Sequence, residues 1–120
     1  MRIKRDKLDD LVSRYIRLRA KNHCERCGRW VEFEKLQACH FHSRRKRATR
    51  YDEENIIALD YGCHQYFHEN PREFEEFMKE RLGEGFDLLL GRARTPAKYI
   101  DREALRLYFS HELEVLKEEE

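Results

Sequence analysis

The sequence predicts an α+β fold, with a small antiparallel β-hairpin and a metal-binding helix at its centre and further helices from both ends of the chain around them. Three observations predict it. Apolar residues recur every three or four positions near each end, two apolar runs of strand length lie in the middle, and around those runs fall a C-x-x-C turn and two histidines four residues apart. A chain of 120 residues has room for one core and not for two. Residues 1–120 are therefore read as one domain, with an N-terminal helix in 1–22, the metal-bearing core in 23–70 and C-terminal helices in 71–120.

The first helix is predicted over Lys7 to Arg19, where Leu8, Leu11, Val12, Tyr15 and Leu18 form one stripe and Arg14, Arg17 and Arg19 lie largely off it, toward solvent or a polyanion. Residues 22–34 read as a turn and short strand, with Gly28 placed for tight curvature after Cys27. Leu36 to Phe41 and Ile56 to Leu59 are the two hairpin strands, and the loop His42 to Glu54 between them is rich in arginine and has no apolar period. After Cys63 the pattern turns helical. Asn70, Pro71 and Glu73 read as cap, first turn and capping box of a helix with Phe74, Phe77, Met78 and Leu82 on one face and Gly83 at its stop. A last helix starts at Asp101 and aligns Leu105, Tyr108, Phe109, Leu113 and Leu116.

The net charge of +1 conceals a division, because residues 1–50 carry 16 Lys/Arg against 6 Asp/Glu and residues 51–120 carry 9 against 18. A basic half is suited to phosphate neutralisation on a nucleic acid, although the two halves could equally pair with each other. No apolar stretch approaches the ~18 residues of a membrane span, and the basic start has no apolar run behind it, so the expected location is the cytoplasm. In that reducing compartment Cys24, Cys27, Cys39 and Cys63 read as metal ligands before disulfides.

Cys24 and Cys27 form half of a tetrahedral zinc site. Cys63 supplies one member of the second half, and three residues earlier, where its partner belongs, stands Asp60; Cys39 competes with Asp60 for the fourth position. Reduced core cysteines are the bland alternative, and a redox pair lacks its βαβ context. If residues 63–69 are helical, His64 and His68 lie one turn apart and present two imidazoles to a second, catalytic ion, with Cys39 as a further candidate donor. His40, at the end of a strand, can then face that helix as the base that deprotonates water, and Asn55 can hold the imidazole or its loop. His42 reads as a solvated or satisfied residue. Arg44, Arg45, Lys46, Arg47 and Arg50 form a basic block beside this site, and phosphate contact is its natural use.

On these residues the chain resembles the NinG, or Rap, recombination nucleases of lambdoid phages, a branch of the HNH or ββα-metal endonucleases. The stretch Tyr15 to Arg19, the Cys24/Cys27 turn, His40-Phe41, Ser43 to Arg45, Ala48 to Glu53, Asn55, Cys63, Asn70 and Gly83 to Gly85 carry the likeness, which is densest from His40 to Asn55. The resemblance implies a ββα-metal core with structural zinc, and a structure-selective DNA endonuclease acting in phage recombination on Holliday junctions or related branches. It also implies a homodimer, working in the host cytoplasm. Three positions depart from the family, which has Gly at 39, Cys at 60 and Asn at 64. Cys39 and Asp60 together look like an exchange of zinc ligands, and His64 makes the catalytic site richer in nitrogen, open to Mn²⁺, Co²⁺ or Ni²⁺ as well as Mg²⁺. Two other expectations stand beside this one: a non-catalytic zinc-stabilised module that binds DNA or a partner, and an HNH nuclease of restriction or homing type acting on duplex DNA.

Overall fold

Helix α1, Lys7–Arg19, begins at a complete capping box in which the Asp6 carboxylate accepts from the Asp9 amide at 2.8 Å and the Asp9 carboxylate accepts from the Asp6 amide at 2.9 Å. Its apolar stripe then runs inward through Leu8, Val12 and Tyr15, and the best-buried residue on it is Ile16, with no exposed surface. This computed structural model describes residues 3–97 and 99–119.

Strands β1, Gln37–His40, and β2, Ile56–Leu59, pair antiparallel with Gln37 opposite Leu59 and His40 opposite Ile56. Side chains alternate across a strand, so the hairpin divides the apolar residues into two sets. Ala38, Ile56 and Ala58 join α1 and the last helix in a core with Leu8, Val12, Ile16 and Phe109, while Cys39, Ile57 and Leu59 join Phe67, Phe74, Met78 and Leu89 on the other side. Every residue of β2 is buried. Two strands alone are marginal in water, and this hairpin is stabilised because both its faces are covered.

Helices α2 (Tyr61–Glu69), α3 (Pro71–Leu82) and α4 (Gly85–Arg94) cover one face. Phe67 of α2 stacks on Phe74 of α3 with centroids 4.5 Å apart, and Phe41, just past β1, meets Phe74 edge-on at 5.1 Å and Phe86 of α4 at 5.7 Å. This aromatic cluster fixes α2 against the end of β1. Helix α5, Arg102–Glu118, starts where Asp101 accepts from the Ala104 amide at 2.9 Å and packs on α1.

The molecule is thus α+β, with five helices and a two-stranded sheet among the described residues. Three local expectations need correction. Asn70 occupies the N-cap position of α3 with Pro71 in the first turn, but its side chain makes no capping bond and the capping box with Glu73 is not formed: Asn70 alone separates α2 from α3, and its side-chain amide donates backward to the Tyr66 carbonyl at 2.8 Å. Residues 22–34 hold an isolated bridge between His23 and Trp30 and a 3₁₀ turn at Phe33–Lys35, with no full strand. Helix α4 was not expected, because Gly85 and Gly91 dilute its helical signal; burial of Phe86 and Leu89 holds it instead.

Candidate metal centre and histidine pocket

The C-x-x-C turn is stitched to the free edge of β2. The Glu25 amide donates to the Ala58 carbonyl at 2.8 Å, and the Ala58 amide donates to the Glu25 carboxylate at 2.8 Å. The turn closes at Gly28, whose amide reaches the Cys24 carbonyl at 2.8 Å and whose φ of 77° lies in the left-handed region that glycine tolerates best. This docking carries Cys24 and Cys27 to the start of α2. Cys24, Cys27, Asp60 and Cys63 bring one ligand atom each to within 4.8 Å of one another.

Asp60 has two roles in this cluster. Its Oδ1 caps α2 by accepting from the Cys63 amide at 2.7 Å, and its Oδ2 faces Cys27, whose thiol donates to it at 3.3 Å. Of the two candidates for the fourth position, Asp60 therefore lies in the cluster; Cys39 lies outside it, buried in the apolar set, where burial pushes its thiol up to about 12. Burial also works against ionising Cys24, yet backbone amides of Cys27, Asp60 and Arg26 outweigh it and bring that thiol below the ordinary range. Burial lifts Cys63 to about 12, countered in part by the Arg26 guanidinium 3.3 Å from its Sγ. Three thiols and a carboxylate so close cannot all ionise without a cation among them. Their number, spacing and softness fit a structural metal such as zinc.

The second group is built on β1 and α2. His40, His64 and His68 line one cavity of about 240 Å³, together with Cys39 and the rings of Phe41, Phe67 and Phe74. The His40 Nε2 lies 2.9 Å from the Arg50 carbonyl, which can only accept, so Nε2 carries the proton and Nδ1 keeps the lone pair. The His64 Nδ1 lies 2.5 Å from the Gln37 Oε1, which leaves the lone pair on Nε2. Burial holds both rings below the usual histidine range, and the nearby His68 adds to this for His64. Among the described residues, however, three donors come within 4.8 Å of one another only at the cysteine cluster. The histidine pocket offers separate lone pairs around a space.

Asn55 has no exposed surface and acts on the loop through its backbone. Its Nδ2 donates to the carbonyls of His42 at 2.9 Å and Thr49 at 3.1 Å, and its Oδ1 accepts from the His42 amide at 2.8 Å. It thereby ties both ends of the arginine-rich loop, including the segment whose Arg50 carbonyl orients His40. His42 is half-buried, with its Nδ1 out of solvent; burial holds its ring below the usual histidine range, and Asn55 opposes that.

The basic block divides in two. Arg45, Lys46 and Arg47 are exposed. Arg50 is largely buried in ion pairs with Asp9 at 2.5 Å and Asp6 at 3.5 Å, and Arg44 turns toward α1 with Nη2 on the Ile3 carbonyl at 3.3 Å. These pairs lie within the first half and leave its excess of positive charge standing; Arg29 on Asp60, at 3.4 Å, does join a cation of the first half to a carboxylate of the second. Arg92 pairs with Asp52 within the second half, and Arg102 with Asp6 across the halves in the opposite sense.

Sequence reasoning missed Gln37, Glu25 and Asp9. Alternation could have placed Gln37 on the face toward α2, but nothing local marked its partner. No helix among the described residues is long and apolar enough to cross a membrane. Against protein-family models, curated proteins and solved structures, the chain finds no match.

Proposed function

We propose that the chain is a metal-dependent DNA endonuclease of the HNH, ββα-metal type, a phosphodiester hydrolase in which His40 is the general base. The observation that carries this is the pair of complementary tautomers in one pocket. The proton on His40 is fixed at Nε2 by the Arg50 carbonyl, so Nδ1 is free to accept one, and the proton on His64 is fixed at Nδ1 by Gln37, so Nε2 is free to bind a cation. The antiparallel hairpin followed by α2, with the cysteine cluster at the helix start, agrees with this type.

His64 and His68 would hold a divalent ion, Mg²⁺, Mn²⁺, Co²⁺ or Ni²⁺, which when bound polarises the scissile phosphate and stabilises the departing oxygen. His40 Nδ1 takes a proton from water as the water oxygen bonds to phosphorus in line with the 3′-oxygen. The P–O3′ bond breaks, the 3′-oxygen takes a proton from solvent, and the products carry 5′-phosphate and 3′-hydroxyl ends. Asn55 keeps the arginine loop, and through it the Arg50 carbonyl, where His40 needs it. Arg45, Lys46 and Arg47 lie open to the backbone phosphates of DNA. The resemblance extends this reading to branched DNA such as Holliday junctions in phage recombination, cut by a homodimer with one active site for each strand.

The test is cleavage of supercoiled plasmid, linear duplex and a synthetic four-way junction with each of the four ions. His40→Ala should lower the rate by about 10²–10⁴ while junction binding persists. Unchanged cleavage removes His40 from its role, and a fixed sequence preference on linear duplex points to the restriction or homing class. A second reading is favoured by the lack of a three-donor cluster at the pocket: a zinc-stabilised binding module. Junction binding without cleavage under every ion selects it.

A further inference from the structure

Beside the histidine pocket, and sharing His40 and His64 with it, lies a second cavity of about 330 Å³ that borders α1. Its lining is rich in cations. Arg5, Arg44 and Arg50 line it against the single carboxylate of Asp9, with Asp10 on Arg5 and Asp6 on Arg50 just outside the lining. That carboxylate is already engaged, with Oδ1 3.1 Å from Arg50 Nε, and Oδ2 2.5 Å from Arg50 Nη2 and 2.9 Å from the Asp6 amide. Arg5 pairs with the exposed Asp10.

Arg44 is the underpaired member. Its Nη2 donates to the Ile3 carbonyl, its Nη1 has no hydrogen-bond partner, and its ion pair to Asp9 Oδ2 is long, at 3.6 Å, and shared with Arg50. About a quarter of the side chain is exposed; Nη1 itself is buried, so an entering group reaches it by displacing the long Asp9 contact. The hydroxyl-bearing Ser13 and Ser43 line the same space. An underpaired guanidinium beside hydroxyl donors, in a cavity of this size, suits a tetrahedral oxyanion, which accepts from a planar fork at two oxygens.

We infer that this cavity is a phosphate-binding pocket with Arg44 as its recognition residue, seating a phosphate group of the nucleic acid next to the one that reacts. The inference rests on the nuclease reading only for the source of that phosphate. It separates the roles within the basic block: Arg50 neutralises Asp9 and builds the wall, Arg44 recognises the ligand, and the exposed cations add unspecific attraction.

Inorganic phosphate is titrated calorimetrically into the full chain and into Arg44→Met, Arg5→Met, His68→Ala and, on α5 away from the site, Lys117→Met variants. Phosphate should bind the parent chain, weaken at least about tenfold in Arg44→Met and several-fold in Arg5→Met, and be unchanged in Lys117→Met and His68→Ala. Unchanged binding in both arginine variants overturns the pocket. Loss in His68→Ala also overturns it, since the phosphate then sits on the catalytic ion. Arg5 is half-exposed, so its variant keeps the test decisive if Arg44→Met does not fold. In a second arm, single strands with and without a 5′-phosphate are compared. Arg44-dependent preference for the 5′-phosphate identifies a terminal monoester, equal Arg44-dependent binding identifies a backbone diester, and the absence of Arg44 dependence in both overturns the inference. None of these measurements needs cleavage. A chain that binds phosphate through Arg44 yet cuts no DNA refutes the nuclease reading and leaves the pocket standing.

Discussion

The cysteine cluster and the histidine pocket share α2 but are built in opposite ways. At the cluster four donors crowd within 4.8 Å, three of them buried, and one oxygen of the carboxylate caps the helix while the other faces Cys27. At the pocket the imidazoles line a cavity of about 240 Å³, and each of two rings has one nitrogen committed to a protein acceptor and the other left over. A closed donor set suits an ion that holds structure, whereas an open one leaves room for water and substrate. The contrast can be broken or sharpened by substitution.

The largest effect is expected from Cys63→Ser. Structural zinc binding is worth on the order of 10 kcal/mol of folding free energy in small domains, so this variant should lose both bound metal, read by elemental mass spectrometry, and its cooperative thermal transition. Retained folding without metal would reduce the cluster to a group of core thiols. Asn55→Ala should cost about 3 kcal/mol, because it strands the His42 and Thr49 carbonyls and the His42 amide. Zinc content should not change, and a denaturant melt paired with metal analysis checks both halves of that statement. Asp60→Asn keeps an oxygen for the cap but removes the charge. Helix content by circular dichroism should hold while zinc is surrendered to a chelator more readily than by the parent; equal retention would mean that Asp60 caps the helix without serving the ion.

The smallest effect is one of pH. Asp6 is partly desolvated, which alone would raise its pKa, but the Asp9 amide, Tyr51 and Arg102 bring it well below the ordinary carboxylate value of 3.8. With the folded value depressed, the stabilisation is complete above about pH 4, where the unfolded carboxylate is also ionised, and is lost as pH falls toward the folded value. Asp6→Asn should melt lower than the parent at pH 5, and the gap should narrow by pH 3. A gap that stays constant would show that hydrogen bonding, not charge, ties Asp6 to Tyr51 and Arg102.

Much of the fold was legible because it is written in local periods. The α1 stripe, both strands and the Asp101 start follow from spacing of 3.6 or 2 and from one capping aspartate. The cysteine cluster was legible down to a choice, since C-x-x-C spacing repeats at 60 and 63 whatever residue stands at 60. The failures share a cause in contacts that spacing does not encode. Asn70 serves the helix before it because only one residue separates the two, and α4 survives two glycines through the burial of Phe86 and Leu89. Arg50 looked like a DNA contact in a run of cations, but its partner Asp9 is 41 residues away. The tautomers of His40 and His64 depend on Arg50 and Gln37, at separations of 10 and 27 residues, and no sequence period links them.

Helix α2 gives the two regions a common ruler. Asp60 and Cys63 anchor its first turn, and His64 and His68 follow on the same rod. An α-helix turns by about 100° per residue, so one residue gained or lost just after Cys63 would swing both imidazoles more than a quarter turn while the thiols stayed put. Exposed loops without such ties tolerate changes in length more readily. The count between anchor and imidazole is not free to change, and this short stretch is where the chain should tolerate indels least.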